Sequence, residues 1–329
     1  MKLPRRKFLH LAAGAAARPA ASRIAWAETY PSRAITVIVP FAAGGPVDTL
    51  ARIVMDRMRQ ILGQPIIIED IRGAAGSIGV GRVAHAVPDG YTLSIRIWST
   101  HVVNGMVYRL SYDVLNDFAP IALLTDNAQI IVSRKTMPAD NLQQLIAWLE
   151  VNPDKALAGS AGVGSPPHVF GILFQKATGA RFGFLHYRGT APAMEDLVAG
   201  RIDLIISDHV TALAQMRAGT IKAYAVTSIT HLASAPDIPT VDEAGLPTFH
   251  TSVWDAMWAP KGTPSPVIAK LNAAIVETLS DPALRERLQQ LGQNVVPRER
   301  QTPEALGKLQ KAEIEKWWPI IKAAGIKAE

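Results

Sequence analysis

The order of apolar and polar positions predicts strands that alternate with helices along most of the chain. Residues 34–41 form a run rich in β-branched side chains, which is typical of a buried strand. From Leu50 to Leu62, apolar residues recur every three or four positions, which indicates a helix with one buried face. The same reasoning predicts further strands at 65–70, 91–97, 129–133, 156–159, 184–187, 202–206, 223–227 and 252–259.

Helices are predicted between these strands and in a C-terminal tail. In the alternating part they lie at 50–62, 77–86, 142–150, 168–178, 191–199 and 210–218. The tail has helices at 264–279, 282–291 and 302–324, each of which starts with a proline or a capping residue. This alternation favours parallel sheets covered by helices on both faces, and ligands of such sheets bind at the carboxyl ends of the strands.

The positive charge of the chain is concentrated at its N-terminus. The formal net charge is +6, yet six basic residues precede the first acidic residue, Glu28, so the rest of the chain is neutral overall. This distribution argues against nucleic-acid binding, which needs a basic surface. Hydrophobic residues make up 48% and charged residues 19% of the chain, which excludes an intrinsically disordered protein and a coiled coil.

The first 27 residues have the features of an export signal. A basic RRK sequence at 5–7 precedes an apolar stretch at 8–17, and AWA at 25–27 fits a processing site before Glu28. The apolar stretch is about half the length of a membrane-spanning helix. The basic start resembles the twin-arginine export motif, and the general secretory route also accepts it. We therefore expect a mature chain that begins near Glu28 and is periplasmic.

Glycine-rich loops follow the first two predicted strands. Residues Phe41 to Asp48 have the pattern F-x-A-G-G-x-x-D at the start of a helix. Backbone N–H groups there can bind a carboxylate without an arginine, because a helix N-terminus favours negative charge. The pattern also fits a tight turn in which Asp48 only caps its helix. The glycines at Gly73, Gly76 and Gly79 lack the G-x-G-x-x-G spacing of a dinucleotide loop, so no cofactor is expected.

A third glycine-rich loop, from Ala158 to His168, has hydroxyl groups at Ser160 and Ser165. Its AGSAG sequence is a degenerate form of the G-x-S-x-G motif, so a secreted serine hydrolase that uses Ser160 is an alternative function. Against this alternative, the chain has Ala158 where the motif has its first glycine, and it lacks an HGGG-type oxyanion segment. The histidines do not have the spacing of metal ligands, so a metal site is not indicated.

Several segments in a fixed order resemble the Bug family, the extracytoplasmic solute receptors of tripartite tricarboxylate transporters. They include YPSRAITVIVPFAAGGPVDTLAR, EDIRGAAGSIG, YDVLNDFAPI, GSAGVGSPPH, YRGTAPAMEDLVAGRID and IPTVDEAGLP. The resemblance implies an α/β, type II-like periplasmic binding protein with two lobes, mixed sheets flanked by helices, and a hinge between the lobes. After an export signal at 1–27, we expect lobe I to contain residues 28–124 and 254–329, and lobe II to contain residues 125–253.

The resemblance also implies ligand-binding residues at strand ends in both lobes. In lobe I they are Phe41, Ala43, Gly44, Gly45, Asp48, Gly76, Ser77, Ser99 and Thr100. In lobe II they are Ser160, Ser165, His168, Gly189, Thr190, Ala193 and Asp208. Asp70, Ile71, Asp255 and Ala256 differ from the residues common in the family, which leaves the identity of the ligand open.

Together these observations predict a solute-binding receptor and not an enzyme. We expect it to close around a small carboxylate in a cleft between the lobes and to deliver it to membrane subunits of a tripartite tricarboxylate transporter. The expected protein is a monomer that binds no cofactor, metal or nucleic acid. Two alternatives stay open, namely the hydrolase that uses Ser160 and a ligand sensor for a signalling kinase.

Overall fold

The computed structural model describes residues 30–328, and strands alternate with helices over most of that range. The strands are β1 (Ile35–Val39), β2 (Ile66–Asp70), β3 (Thr92–Ile97), β4 (Phe118–Arg134), β5 (Leu157–Ser160), β6 (Gly183–His186), β7 (Leu204–Asp208), β8 (Ile221–Val226) and β9 (Ser252–Pro260). The predicted export signal at 1–27 and the predicted mature start at Glu28 lie outside the described residues.

Ten α-helices lie within residues 30–328. They are α1 (Pro46–Leu62), α2 (Ser77–Ala84), α3 (Asn104–Val107), α4 (Leu142–Val151), α5 (Pro166–Thr178), α6 (Thr190–Val198), α7 (His209–Arg217), α8 (Ser265–Ser280), α9 (Pro282–Gln290) and α10 (Pro303–Ala323). Local sequence explains their ends: Pro46 occupies the first turn of α1, and Gly63 ends α1 in a left-handed conformation. A π-helical turn, Ser99–Val103, leads directly into α3.

The strands form a mixed sheet in the order β2-β1-β3-β9-β4-β7-β5-β6, with β8 beside β4. Strand β1 pairs in parallel with β2 and β3, and β5 pairs in parallel with β6 and β7. Strands β4, β8 and β9 form antiparallel pairs. The predicted α/β class with mixed sheets and flanking helices is therefore confirmed.

Strand β4 lies in the middle of this sheet and connects its two halves. Its first part, Phe118–Ala128, pairs with β9, and its second part, Gln129–Arg134, pairs with β7 and β8. We call region A the strands β1, β2, β3 and β9 and the first part of β4, together with the loops and helices of residues 40–117. Region B contains β5 to β8 and the second part of β4, together with the loops and helices of residues 135–251. The lobe boundaries near 125 and 254 stay a prediction, and the exchange of strand partners at 128–129 lies close to the first of them.

The first part of β4 is longer than the sequence pattern predicts. Its stretch from Phe118 to Ala128 contains Pro120 and the polar run Thr125, Asp126 and Asn127, which hide the strand pattern. The pairing with β9 is irregular at Pro120, where proline cannot donate a ladder hydrogen bond. Proline and internal polar side chains are therefore the physical reason that only 129–133 is predicted as a strand.

Apolar side chains cover both faces of the sheet. In region A, one face packs against α1, α8 and α9 in a core that includes Val37, Leu50 and Leu271. The other face belongs to a larger core that extends into region B. There Trp317 of α10 lies 5.0 Å from Trp98 of region A and 5.6 Å from Phe170 of α5, measured between ring centroids. The C-terminal helix therefore contacts both regions.

Candidate functional site

The predicted site residues lie where strands end and helices begin. Gly45 and Gly76 are the N-cap residues of α1 and α2 in region A. Ser165, Gly189 and Asp208 are the N-cap residues of α5, α6 and α7 in region B. Only Asp208 accepts a capping hydrogen bond with its side chain. The other four helices therefore lack a side-chain cap, although α1 and α5 begin with prolines, which have no N–H group. The first-turn N–H groups that remain are arranged to accommodate an anion.

The loop between β1 and α1 is held by Asp48, which is buried. The Gly44 N–H donates to Asp48 Oδ2 at 2.7 Å, and Gly44 has a positive φ of 78°. Arg52 Nε lies 2.8 Å from Asp48 Oδ1, and Arg52 Nη2 lies 3.1 Å from Asp70 Oδ2. Burial and the Asp48 charge raise the pKa of Asp70. The Asp48 carboxylate thus shapes the loop, while Ala43 and Gly44 are exposed on it.

The loop between β2 and α2 has an unusual backbone. Ala74 and Ala75 have positive φ values of 46° and 49°, which are costly for residues that carry a Cβ. Asn104 holds this loop, because its Nδ2 donates to the Ala75 carbonyl and to Ser77 Oγ, each at 3.0 Å. A Cβ placed on Gly76 would lie 2.9 Å from Thr100 Cγ2.

Close packing therefore brings the three loops of region A together. A Cβ on Gly76 would also lie 3.3 Å from Pro40, which directly follows β1. The loop before α2 therefore lies between the loop before α1 and the third loop, which follows β3. Phe41 packs at the edge of the adjacent core. In the third loop, Ser99 and Thr100 are buried, and the Thr100 hydroxyl donates to the Ile97 carbonyl at 2.8 Å.

In region B, Ser160 is buried and bonded to a histidine that the sequence analysis did not select. Ser160 Oγ lies 2.6 Å from His186 Nδ1, and the Gly162 N–H donates to Ser160 Oγ at 3.3 Å. Ser160 and His186 occupy paired positions of the parallel strands β5 and β6. The Ser165 hydroxyl accepts from the Ala161 N–H at 3.1 Å, so it turns back toward its own loop.

His168 completes this network of side chains. Its Nδ1 accepts from the Gly164 N–H at 3.1 Å, so the proton of the neutral ring is on Nε2. Its ring lies 4.8 Å from the His186 ring, nearly perpendicular to it. Burial, together with the nearby His186, lowers the pKa of His168 to about 4, and burial also lowers the pKa of His186. His168 is therefore neutral at neutral pH and acts as a polar, uncharged group.

The remaining predicted residues of region B have different surroundings. Gly189, with a φ of 137°, precedes Thr190, the first residue of α6, and both are partly exposed. Ala193 is fully buried in the core of region B. Asp208 accepts from the Thr211 N–H and from the Thr211 hydroxyl, both at 2.8 Å. Asp208 therefore caps α7, much as Asp48 holds the loop before α1.

Two contacts bring the loops of the two regions against each other. The Tyr108 hydroxyl, just after α3, donates to the Val163 carbonyl at 3.0 Å. A Cβ on Gly164 would lie 3.3 Å from Val107 Cγ1. Ser99 and Thr100 belong to the same short segment as Val107, so the third loop of region A lies beside the first loop of region B.

Comparison with known proteins identifies the family to which this chain belongs. Residues 50–326 match the model of the TctC family, described as the tripartite tricarboxylate transporter family receptor. The chain belongs to the TctC receptor family. BugT of Bordetella pertussis is 33% identical over 92% of this receptor and 92% of BugT, and the resemblance to the Bug proteins is confirmed.

Solved structures resemble this receptor over nearly its whole length. MatC of Rhodopseudomonas palustris, with bound malate, has a TM-score of 0.81 and 38% identity and covers 89% of the receptor and 100% of MatC. R. palustris Rpa4515, with adipate, has a TM-score of 0.83 and 30% identity and covers 91% of the receptor and 100% of Rpa4515. The TctC receptor thus has the fold of solute-binding proteins whose structures contain dicarboxylates.

Three residues that support the site in this receptor were missed by the sequence analysis. Asn104 holds the second loop, Tyr108 bridges the regions, and His186 binds Ser160. Each is separated by 26 or more positions from the residue that it contacts, so no short motif contains the pair. His186 directly precedes the family segment YRGTAPAMEDLVAGRID, and this position next to Gly189 and Thr190 was the signal available for it.

Two further findings describe the receptor between residues 30 and 328. No helix in this range combines the length and the apolar character needed to cross a membrane. In the same range, no three histidine, aspartate or glutamate side chains are grouped closely enough to hold a metal ion.

Proposed function

We propose that this TctC receptor binds a small dicarboxylate between regions A and B and passes it to a tripartite tricarboxylate transporter. The ligand would lie against the loops before α1 and α2 and the loops before α5 and α6. The observation that carries this proposal is the set of four uncapped helix N-termini in these loops. They come from both regions, so one ligand bound there would hold the regions together.

Three helices away from the candidate site provide a contrast with its four uncapped N-termini. Helices α4, α9 and α10 are capped by Asn141, Asp281 and Thr302, whose side chains accept from first-turn N–H groups, although α3 and α8 lack a side-chain cap as well. At the candidate site, Ser165 could cap α5 in the same way, but its hydroxyl accepts from Ala161 instead. The first-turn N–H groups that prolines do not replace therefore stay available for a ligand anion.

The charge of the site fits a carboxylate ligand bound by neutral donors. Asp48 and Asp208 are engaged by groups of their own loops, and His168 is uncharged at neutral pH. Each N–H or O–H bond to an ionised carboxylate contributes about 1.5–3 kcal/mol. The malate of MatC and the adipate of Rpa4515 suggest a dicarboxylate as the ligand class. Both carboxylates would then be bound by backbone amides and hydroxyl groups.

A ligand screen tests this proposal. The mature protein is heated with a panel of mono-, di-, tri- and aromatic carboxylates, and each ligand that raises the melting temperature is titrated by calorimetry. We expect at least one dicarboxylate to bind with a Kd below about 10 μM, and the matching uncharged diamide not to bind. A panel in which no carboxylate raises the melting temperature would contradict the proposal.

Delivery to a transporter and a periplasmic location are part of the same proposal. The export signal predicted at 1–27 supports them, and the family description names a transporter receptor. Cell fractionation followed by N-terminal sequencing should find the protein in the periplasm with a start near Glu28. A protein that retains residues 1–27 in the cytoplasm would contradict this part.

One observation favours a second candidate, a serine hydrolase that uses Ser160. The 2.6 Å contact between Ser160 Oγ and His186 Nδ1 has the distance of a nucleophile and its general base. However, Ser160 is fully buried, and its hydroxyl also accepts from the Gly162 N–H. Generic ester substrates should be turned over equally slowly by the wild type and by Ser160→Ala. Turnover by the wild type that disappears in Ser160→Ala would support the hydrolase.

A further inference from the structure

Arg96 is a fully buried arginine of β3 with no acidic partner among residues 30–328. Its side chain has no accessible surface, and its Nε, Nη1 and Nη2 atoms have no hydrogen-bond partner in the described chain. The guanidinium carbon lies 4.0 Å from the centroid of the Phe118 ring, which stabilises a cation only weakly compared with the cost of removing it from water. The positive charge of Arg96 is therefore uncompensated within the described fold.

Burial lowers the pKa of Arg96, because it disfavours the charged form. A guanidinium is nevertheless so basic that it keeps its proton at neutral pH. A buried charge needs a partner of opposite sign to be tolerated in a folded protein. A counter-ion is the partner that remains when no side chain supplies one.

Other unpartnered polar atoms belong to residues that pack beside Phe118 or lie on the paired strands β3 and β9 near Arg96. The Tyr112 ring lies 5.7 Å and the His101 ring 5.2 Å from the Phe118 ring, measured between centroids. The Trp258 ring lies 4.5 Å from the His101 ring, and Ser94 is paired with Trp258 across the strands. Tyr112 Oη, His101 Nε2, Trp258 Nε1 and Ser94 Oγ are all buried without a hydrogen-bond partner in the described chain.

The chemistry of this cluster suits an anion. Arginine and tryptophan N–H groups can only donate, and the hydroxyl groups of Tyr112 and Ser94 can donate as well. A cation would find no carboxylate there, since none pairs with Arg96. A water molecule could accept from these groups, but it could not neutralise the charge of Arg96. A small monovalent anion would accept several of these bonds and neutralise that charge.

We propose that Arg96, Tyr112, Ser94 and Trp258 form an internal site for a small monovalent anion such as chloride. The site lies inside region A, beneath the third loop, and His101, which directly follows Thr100, forms part of its wall. It differs from the carboxylate site proposed above, because Ser94, Arg96 and Trp258 lie within the paired strands β3 and β9 and not in the loops before the helices. Its occupant would stabilise the fold whether or not a transported ligand is bound.

Urea unfolding of the mature protein in chloride and in isethionate, a bulky sulfonate, tests this inference. The ionic strength is held constant, and no carboxylate is present in the buffer. An anion that binds only the folded state lowers the unfolding equilibrium constant about tenfold for each tenfold rise in its concentration above Kd. We expect this chloride dependence in the wild type and its loss in Arg96→Met. The control variant Arg217→Met removes an exposed charge of α7 and should keep the dependence.

Crystals grown in bromide provide an independent measurement on the unmodified protein. We expect an anomalous peak within hydrogen-bond distance of the Arg96 guanidinium. This result decides the question even if Arg96→Met does not fold. Equal chloride dependence in the wild type and Arg96→Met, or the absence of a bromide peak at Arg96, would overturn the proposal. Neither outcome affects the carboxylate screen, so failure of one proposal is distinguishable from failure of the other.

Discussion

The loops of regions A and B both contain glycines with positive φ, but the loops differ in what else holds them. In region A, Ala74 and Ala75 also have positive φ, and Gly76 is packed tightly against Thr100 of a neighbouring loop. In region B, Ser160, Ser165, His168 and His186 determine the loop through hydrogen bonds between side chains and backbone. Added atoms should therefore damage region A most, whereas lost or protonated polar groups should damage region B most.

The two regions also share one structural feature, an aspartate near the start of a helix. Asp48 and Asp208 each stand at the start of a helix and accept hydrogen bonds from their own loop or helix. A carboxylate placed this way does not bind an anionic ligand directly, but it shapes the N–H groups that can. The family resemblance implied ligand-binding roles for both residues, and their hydrogen bonds suggest that the roles are indirect.

The largest expected effect is that of Gly76→Ala in region A. The new methyl group would lie 2.9 Å from Thr100 Cγ2 on a backbone with a φ of 90°. Left-handed strain and overpacking together should lower the free energy of unfolding by about 4 kcal/mol. Urea unfolding measures this change, and ligand binding should be lost with it.

Gly63→Ala is the matched control for that experiment. Gly63 has a φ of 68° and no atom within 4 Å of an added Cβ, so this variant tests the backbone strain without the contact. It should cost about 1 kcal/mol and leave ligand binding unchanged. Equal losses of stability in Gly76→Ala and Gly63→Ala would show that loop packing in region A is unimportant.

The next largest effect is a pH dependence of stability that arises where β9 pairs with β4, the strand that connects the two regions. Asp255 of β9 is buried, and its Oδ2 accepts from Thr125 at 2.7 Å and from Asn127 at 3.1 Å, both in β4. Burial raises the pKa of Asp255 to about 7. Its protonated form is therefore favoured in the folded state, and stability is lost as the pH rises from about 4 to 7. Between pH 5 and pH 8 this contribution should fall by about 3 kcal/mol.

Asp255→Asn removes this titration and keeps the size of the side chain. Urea unfolding across the pH range should show a smaller decline toward pH 8 in the variant than in the wild type. Parallel pH profiles for the two proteins would mean that Asp255 has an ordinary pKa in the fold, and the connection between the regions would then lack this sensitivity.

Region B should respond to pH in the opposite direction. Because the pKa of His168 is lowered to about 4, the neutral form is favoured in the folded state. The contribution of His168 is present above the unfolded pKa of about 6.5 and is lost as the pH falls toward 4. Between pH 8 and pH 5, the free energy of unfolding should fall by about 2 kcal/mol because of His168. His168→Gln should reduce it, and an unchanged acid sensitivity in this variant would contradict the prediction.

The smallest of these effects is that of Asp208→Ala, compared with Asp281→Ala in α9. Both aspartates are helix N-caps, and each substitution should lower the free energy of unfolding by about 1 kcal/mol. Only Asp208 lies at the candidate site, so only Asp208→Ala should also weaken ligand binding in calorimetry. Equal ligand affinities for the two variants would remove Asp208 from the site.

These differences explain which features could be predicted from the sequence. Strands β1 and β3 and helix α1 follow from local periodicity, and the glycine loops follow from composition. The contact between Ser160 and His186 depends on the register of β5 against β6, which no local pattern contains. The strained backbone at Ala74 and Ala75 could not be predicted either, because alanine disfavours positive φ. The loop is held by a hydrogen bond from Asn104, which is distant in the sequence.

The central claim is that one carboxylate ligand contacts both regions. Calorimetry with the ligand found by screening tests it most directly, using Asp48→Ala for region A and Ser165→Ala with Thr190→Val for region B. We predict that each variant binds at least tenfold more weakly than the wild type, which corresponds to about 1.4 kcal/mol. Wild-type affinity in either variant would place the ligand on a single region and contradict the shared site.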